Sequence, residues 1–176
     1  IMFKTKITPL ALVIASLSAP ASANLIISEY VEGGSNNKAI ELFNTSGETL
    51  SLDGYNISLF ANGNGDLTAP NNTLALSGSL AANGTYVIVN AGSVDELKAK
   101  ADIEATVTYF NGDDALVLTK DGTIVDSFGQ LGVDPGSEWS AGGVSTKDKS
   151  LRRKLSITAG RSDATASFDP SEQWLQ

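Results

Sequence analysis

The 176-residue chain contains neither cysteine nor histidine. Without cysteine there is no disulfide framework and no thiolate metal site. Without histidine, Ser-His-Asp and Cys-His catalysis are excluded. So are H-E-x-x-H zinc sites, and the usual general base at neutral pH is missing. A hydrolase built on carboxylates alone stays open, because glycoside hydrolysis needs only two acids. Basic residues are also scarce: twelve Lys and Arg stand against twenty Asp and Glu, a formal net charge of −8. That field repels polyanions at long range, and non-specific nucleic-acid binding depends on the opposite sign. Weak or no binding to DNA by this chain alone is therefore expected.

Long apolar runs are missing except at the start. Met2, Lys4 and Lys6 form a short basic segment, Leu10 to Leu17 is apolar apart from Ser16, and Ala21-Ser22-Ala23 supplies small residues at −3 and −1. These are the three parts of a secretory signal peptide, with cleavage expected between Ala23 and Asn24. The run is shorter than the ~20 apolar residues that span a bilayer. A secreted protein of Gram-negative bacterial type, free of the membrane after cleavage, is the expected outcome. Residues 1–23 are then the leader, 24–170 one domain, and 171–176 the start of a tail or linker. A chain of ~150 residues buries ~68–70% of its unfolded surface, enough for a core without staples.

Period-two alternation recurs along that domain. Ile40 and Leu42 share one face with Glu41 and Phe43 on the other; Leu50, Leu52, Ile57 and Leu59 alternate with polar residues, and Leu116 and Leu118, then Ile124 to Phe128, complete the series. Tyr86-Val87-Ile88-Val89 is continuously apolar and reads as a strand covered on both faces. Turns are marked by Asp53-Gly54, Asn62-Gly63, Asn64-Gly65, Asn83-Gly84, Asn111-Gly112 and Asp121-Gly122, each pairing a residue tolerant of left-handed backbone with a glycine. Asp121-Gly122 lies between two apolar runs and predicts a β-hairpin. Strands and turns at this rate predict an all-β sandwich or barrel. One short helix is expected over 93–101, where Ser93 and Glu96 have capping-box spacing. From Ala159 the sequence is polar and reads as a loosely packed tail.

Two sets of charged residues stand out. Glu29 and Glu41 sit inside apolar strands, and Asp113 and Asp114 at the mouth of another. Buried carboxylates must be paired, hydrogen-bonded or metal-bound, so these four are candidate ligands for a hard cation such as calcium (Ca2+). The rival reading has Lys38, Arg152 or backbone amides satisfying them. Lys147, Lys149, Arg152, Arg153 and Lys154 form the basic cluster. Lys149, Arg152, Arg153 and Lys154 are candidates for contact with phosphate or an acidic partner; guarding a sheet edge against aggregation is the plainer role. On a strand, Arg152 and Lys154 point one way and Arg153 the other. Asn62, Asn64 and Asp66 begin like an EF-hand loop, but Leu67 and Thr73 stand where glycine and glutamate are needed, so a tight turn is expected.

The run Ile27-Ser28-Glu29-Tyr30-Val31-Glu32-Gly33-Gly34-Ser35-Asn36-Asn37-Lys38-Ala39-Ile40-Glu41-Leu42-Phe43-Asn44 resembles the opening of a bacterial lamin-tail domain (LTD), of the type at the N-terminus of secreted extracellular nucleases. Gly112-Asp113-Asp114-Ala115, Asp126-Ser127-Phe128-Gly129, Trp139, Ser150 to Lys154 and Phe168-Asp169-Pro170-Ser171 follow in matching order. Gly34 departs from the pattern, where serine is expected. The resemblance implies an immunoglobulin-like antiparallel β-sandwich with no catalytic residues of its own. In such nucleases the phosphodiester chemistry lies in a downstream catalytic domain of the same precursor, which would be this chain's partner. With Ile1 preceding Met2 and an abrupt end at Gln176, an N-terminal fragment of a longer precursor is expected. A stand-alone surface or matrix binding module for protein or glycan is the rival.

The leader generates the first test. Mass spectrometry of exported protein should find an N-terminus at Asn24; exported chains that keep Lys4 would refute the cleavage.

Overall fold

The computed structural model describes residues 24–176; the signal peptide expected over 1–23 lies outside the described residues. From there the chain runs as short strands. β1 (Leu25–Glu32), β2 (Lys38–Asn44) and β3 (Leu50–Ser51) are followed by β4 (Tyr55–Phe60), β5 (Asn72–Ala75), β6 (Ser79–Leu80) and β7 (Thr85–Val89). Helix α1 (Asp95–Lys98) and β8 (Ile103–Glu104) lead into β9 (Ala115–Lys120) and β10 (Thr123–Phe128). The remainder holds β11 (Ser140–Ala141), β12 (Val144–Ser145), β13 (Lys149–Arg153), α2 (Pro170–Gln173) and β14 (Trp174–Leu175).

These strands form the expected all-β sandwich. A six-stranded sheet, ordered β14-β13-β1-β2-β7-β8, faces a four-stranded sheet ordered β10-β9-β4-β5. Within these two sheets, neighbours are antiparallel except β7 and β8, which run parallel over two residue pairs. Ile40, Leu42, Ile88, Leu116 and Leu118 have no solvent exposure and fill the space between the sheets. The two-residue hairpin loop is present: Asp121 (φ 49°) and Gly122 (φ 79°) join β9 to β10, the backbone that matches strand twist. Asp66 accepts from the Thr68 amide at 2.9 Å and its hydroxyl at 2.7 Å, so the EF-hand-like stretch is a local turn.

A bulge sets the phase of β1. Leu25 and Ile27 face the core, the pairing with β2 slips between Ile27 and Glu29, and Tyr30 and Glu32 then face inward. One extra residue reverses which side chains are buried beyond it. In β7 only Ile88 and Val89 are buried; Tyr86 packs half-open against the main core and Val87 half-open beside Leu97.

That helix is shorter than the 93–101 segment expected, and its capping box does not form. The Ser93 hydroxyl donates instead to the Asn36 carbonyl at 2.7 Å, and Val94, the residue before the helix, gives no side-chain cap. A bond tying two loops together has taken the cap. A second helix, α2, starts at Pro170 behind Asp169, whose side chain accepts from the Ser171 amide; proline and a capping aspartate suit those positions.

The segment beyond Ala159 is packed, contrary to the loose tail expected. Ala164 joins Phe60, Ala115, Val117 and Leu131 on the outer side of the four-stranded sheet. Phe168 and Trp174 enter the main core, and β14 pairs with β13 through Arg152↔Leu175 and Arg153↔Trp174. Residues 171–176, expected as the start of a tail or linker, are thus packed against the sandwich through Trp174. Beyond Ala159 the apolar residues are few and, apart from Phe168, Trp174 and Leu175, small, so no hydrophobic run marks them. They complete an aromatic chain in which Tyr30 stacks on Phe110 and Phe128 at 4.7 and 4.0 Å, with Trp174 and Phe168 edge-on to Phe128 at 5.0 and 5.1 Å. Each such pair adds ~0.5–1.5 kcal/mol beyond its buried area. Gly129 serves the same packing: its φ is +77°, and a Cβ there would lie 2.9 Å from the Trp139 ring.

Leu118→Ala should destabilise the fold by ~2–5 kcal/mol in urea unfolding. A loss below ~0.5 kcal/mol, the size of a surface substitution, would place Leu118 outside the core.

Candidate functional site

The candidate cation ligands do not converge. Glu29 and Glu41 face each other across β1 and β2, Ser28 donates to Glu41 at 2.7 Å, and Arg152 lies 4.0 Å from Glu29. Burial and the neighbouring charge of Glu41 push the Glu29 carboxyl up, while Arg152 and Lys100 oppose them. Asp114 instead clamps two turns, accepting from the Asn62 amide at 2.8 Å and the Asn111 amide at 2.7 Å. Its carboxyl is pushed up by burial against the pull of those two amides. Asp113 is half-exposed beside it. Among the described residues no group of three or more His, Cys, Asp or Glu is placed to hold a metal. Arg152 and backbone amides serve Glu29 and Asp114, so the four-carboxylate calcium site is not assembled.

Nor does the basic run form one patch. Lys149 and Arg152 are exposed. Lys154 donates to the carbonyls of Ser171 and Glu172 at 2.7 and 3.1 Å. Arg153 points the other way, into the core, with its side chain 2% exposed. Its guanidinium reaches both carboxylate oxygens of Asp126, at 3.0 and 2.9 Å, and lies 4.6 Å over the Trp174 ring. Asp126 also accepts from the amides of Ile27, Ser127 and Arg161 at 2.7, 2.8 and 2.8 Å. Desolvation pushes its carboxyl up, against Arg153 and those three amides. Arg153 is thus the partner of a buried carboxylate and not a surface contact for phosphate.

A second buried pair anchors the opposite end of β1. Lys38 donates to Glu32 at 2.9 Å, to the Phe110 carbonyl at 2.6 Å and to Asn111 Oδ1 at 3.2 Å. Glu32 also accepts from the Asp148 amide. Lys38 is in phase with Ile40 and Leu42, so the strand itself aims the charge inward.

Beside this pair, three loops enclose a cleft of about 350 Å³. Ser35 and Asn36 come from the β1–β2 loop, Asn90 and Gly92 from the loop after β7, and Tyr109 and Asn111 from the turn before β9; Lys38 and Phe110 line the same space. The loops brace one another. Ser93 holds the Asn36 carbonyl, Asn37 Oδ1 accepts from the Val94 amide at 2.9 Å, and Gly33 donates to the Asn37 carbonyl at 2.9 Å. Rigid sheets presenting loops in this way are where proteins usually place binding groups. Its lining combines side-chain amides and an exposed tyrosine with a lysine already engaged by Glu32. A larger groove of about 440 Å³ lies over Ile26 and Phe43, under the exposed Leu155.

Sequence reasoning missed both ion pairs and the cleft. The signal was a charge at an inward-facing position, Lys38 in phase with Ile40 and Asp126 in phase with Phe128.

Residues 18–132 match the family model described as Lamin Tail Domain. This is more than half of the chain, and the chain belongs to the lamin tail domain family. Among solved structures, it is similar to a DUF4876 family protein from Bacteroides thetaiotaomicron, with a TM-score of 0.51 and 11% identity, covering 76% of this chain. The match spans 63% of that protein's own chain, and at such identity it shows the fold alone. No curated protein matches.

The two neighbouring arginines should differ sharply. Arg153→Ala leaves Asp126 buried without its counter-ion and should cost about 3–5 kcal/mol in chemical denaturation. Arg152→Ala should stay within about 0.5 kcal/mol of wild type. Equal effects would contradict the assignment of Arg153 as the buried partner.

Proposed function

We propose that this lamin tail domain is a non-catalytic accessory and binding module of a secreted protein, carried at the N-terminal side of an extracellular endonuclease precursor. The observation that carries the reading is the run Ile27 to Asn44. It resembles the opening of the nuclease-borne type of this family, and it supplies Ser35, Asn36 and Lys38 to the cleft. A chain without histidine, in which no three candidate metal ligands meet among the described residues, supports a role other than hydrolysis. Phosphodiester cleavage would fall to a downstream domain with its own histidines, carboxylates and divalent metal. The braced cleft also fits the rival reading, a stand-alone surface or matrix binding module for protein or glycan.

Sequencing the locus past Gln176 separates the two. The reading expects an open frame continuing into a metal-dependent phosphodiesterase domain; a stop codon at Gln176 would favour the stand-alone module. In parallel, residues 24–176 incubated with duplex DNA and Mg²⁺, Mn²⁺ or Ca²⁺ should leave it uncut. Binding should lie at or beyond the weak end of the ~10⁻⁴–10⁻⁶ M non-specific range. Metal-dependent cleavage, or micromolar salt-sensitive binding lost in Arg152→Ala, would overturn the assignment.

A further inference from the structure

We propose that the cleft between the 33–37, 90–92 and 109–111 loops binds a neutral, hydroxyl-rich saccharide, with the Tyr109 ring as its stacking platform. This rests on the reading of the chain as a binding module and names the chemistry bound. The first support is a set of uncommitted amides. The Asn36 side chain has no hydrogen-bond partner among the described residues, and Asn111 commits its Oδ1 to Lys38 while its Nδ2 has none among them. A side-chain amide offers two donors and a carbonyl acceptor. Sugar hydroxyls both donate and accept, so amides at the wall of one cleft suit neighbouring hydroxyls.

The second support is Tyr109. It is 55% exposed while the next residue, Phe110, is fully buried. The 3₁₀ turn at Thr106–Thr108 ends at Tyr109 and turns its ring outward at the cleft rim. Tyrosine presents a rigid apolar face with a polar tip, and the C–H face of a pyranose is the matching apolar surface. At about 350 Å³ the space is at the small end of the ~300–1,000 Å³ range of ligand clefts, which fits a terminal sugar unit.

Charge argues against an anionic ligand. Lys38 is the cation in the lining, and Glu32, the Phe110 carbonyl and Asn111 already occupy it. Nothing is left to neutralise a phosphate, sulfate or uronate, and the net charge of −8 disfavours any anion. Gly92 keeps the cleft open: a Cβ there would lie 2.6 Å from Asn36 Nδ2, displacing that amide.

The test titrates the full chain by calorimetry with cellohexaose, chitohexaose and maltohexaose, and with heparin as the anionic control. At least one neutral oligomer should bind, and heparin should not compete. Tyr109→Ala should weaken binding about tenfold or more, equivalent to ~1.4 kcal/mol. Asn36→Ala and Gly92→Ala should weaken it in the same direction, and the melting temperature should be unchanged in Tyr109→Ala because the ring is exposed. No binding to any of the three oligomers, binding indifferent to Tyr109, or preference for heparin would overturn the proposal. Flat titrations beside a frame that continues into a nuclease remove the cleft and keep the accessory reading. Saccharide binding beside metal-dependent DNA cleavage by this chain does the reverse.

Discussion

The carboxylate of Asp126 has no contact with water, yet it sits in the core of the sandwich. A charge in that position is tolerable only when its lone pairs are filled. Besides its own neighbour Ser127, its donors come from distant parts of the chain: the amide of Ile27 in β1, the amide of Arg161, and the guanidinium of Arg153 in β13. Each donor fixes a junction. Ile27 binds the two sheets together at the bulge of β1, Arg153 locks β13 beside it, and Arg161 draws the C-terminal segment over β10. The same Arg161 side chain reaches Ser127, Gly129 and Ser167, closing that segment onto the turn that Trp139 packs against. Replacing such a pair with apolar residues can be neutral in stability, whereas breaking it is costly. Its role here is to specify which strands meet.

Local features were legible in the sequence and relayed ones were not. The Asp121-Gly122 hairpin and the inward set Ile40, Leu42, Leu116 and Leu118 depend on neighbours a few residues away. The helix over 93–101 was overread because Ser93 spends its hydroxyl on Asn36, a bond between loops that no spacing rule detects. The bulge after Ile27 explains the misplaced metal site. It turns Glu29 outward and Glu32 inward, so of the four candidates only Asp114 is buried, and the buried Glu32 was not among them. A second register shift, between Ile124 and Asp126, disguises Asp126 in the same way.

The family-matched stretch ends at residue 132, yet the core does not. Trp139, Leu151, Phe168 and Trp174 are all buried in the main cluster, and β13 lies next to β1 in the six-stranded sheet. A segment with few apolar residues contributes through large ones, each aimed into a gap that the earlier strands leave. The cleft end is built differently. Its polar loops are braced by backbone and side-chain bonds between them and by the Glu32–Lys38 pair, with Phe110 as their buried apolar contact.

Because β1 is completed by β13, a strand from the start of the domain waits for one made about 120 residues later. A ribosome that has delivered everything up to Lys149 has made a chain holding Asp126 but not the guanidinium that offsets it, and burying that carboxylate early is opposed by desolvation. The sandwich therefore has a built-in reason to stay open until its C-terminal segment has emerged. The charge that closes the structure is thus made after the carboxylate it offsets, and the order of synthesis sets the order in which the two halves of the pair can meet.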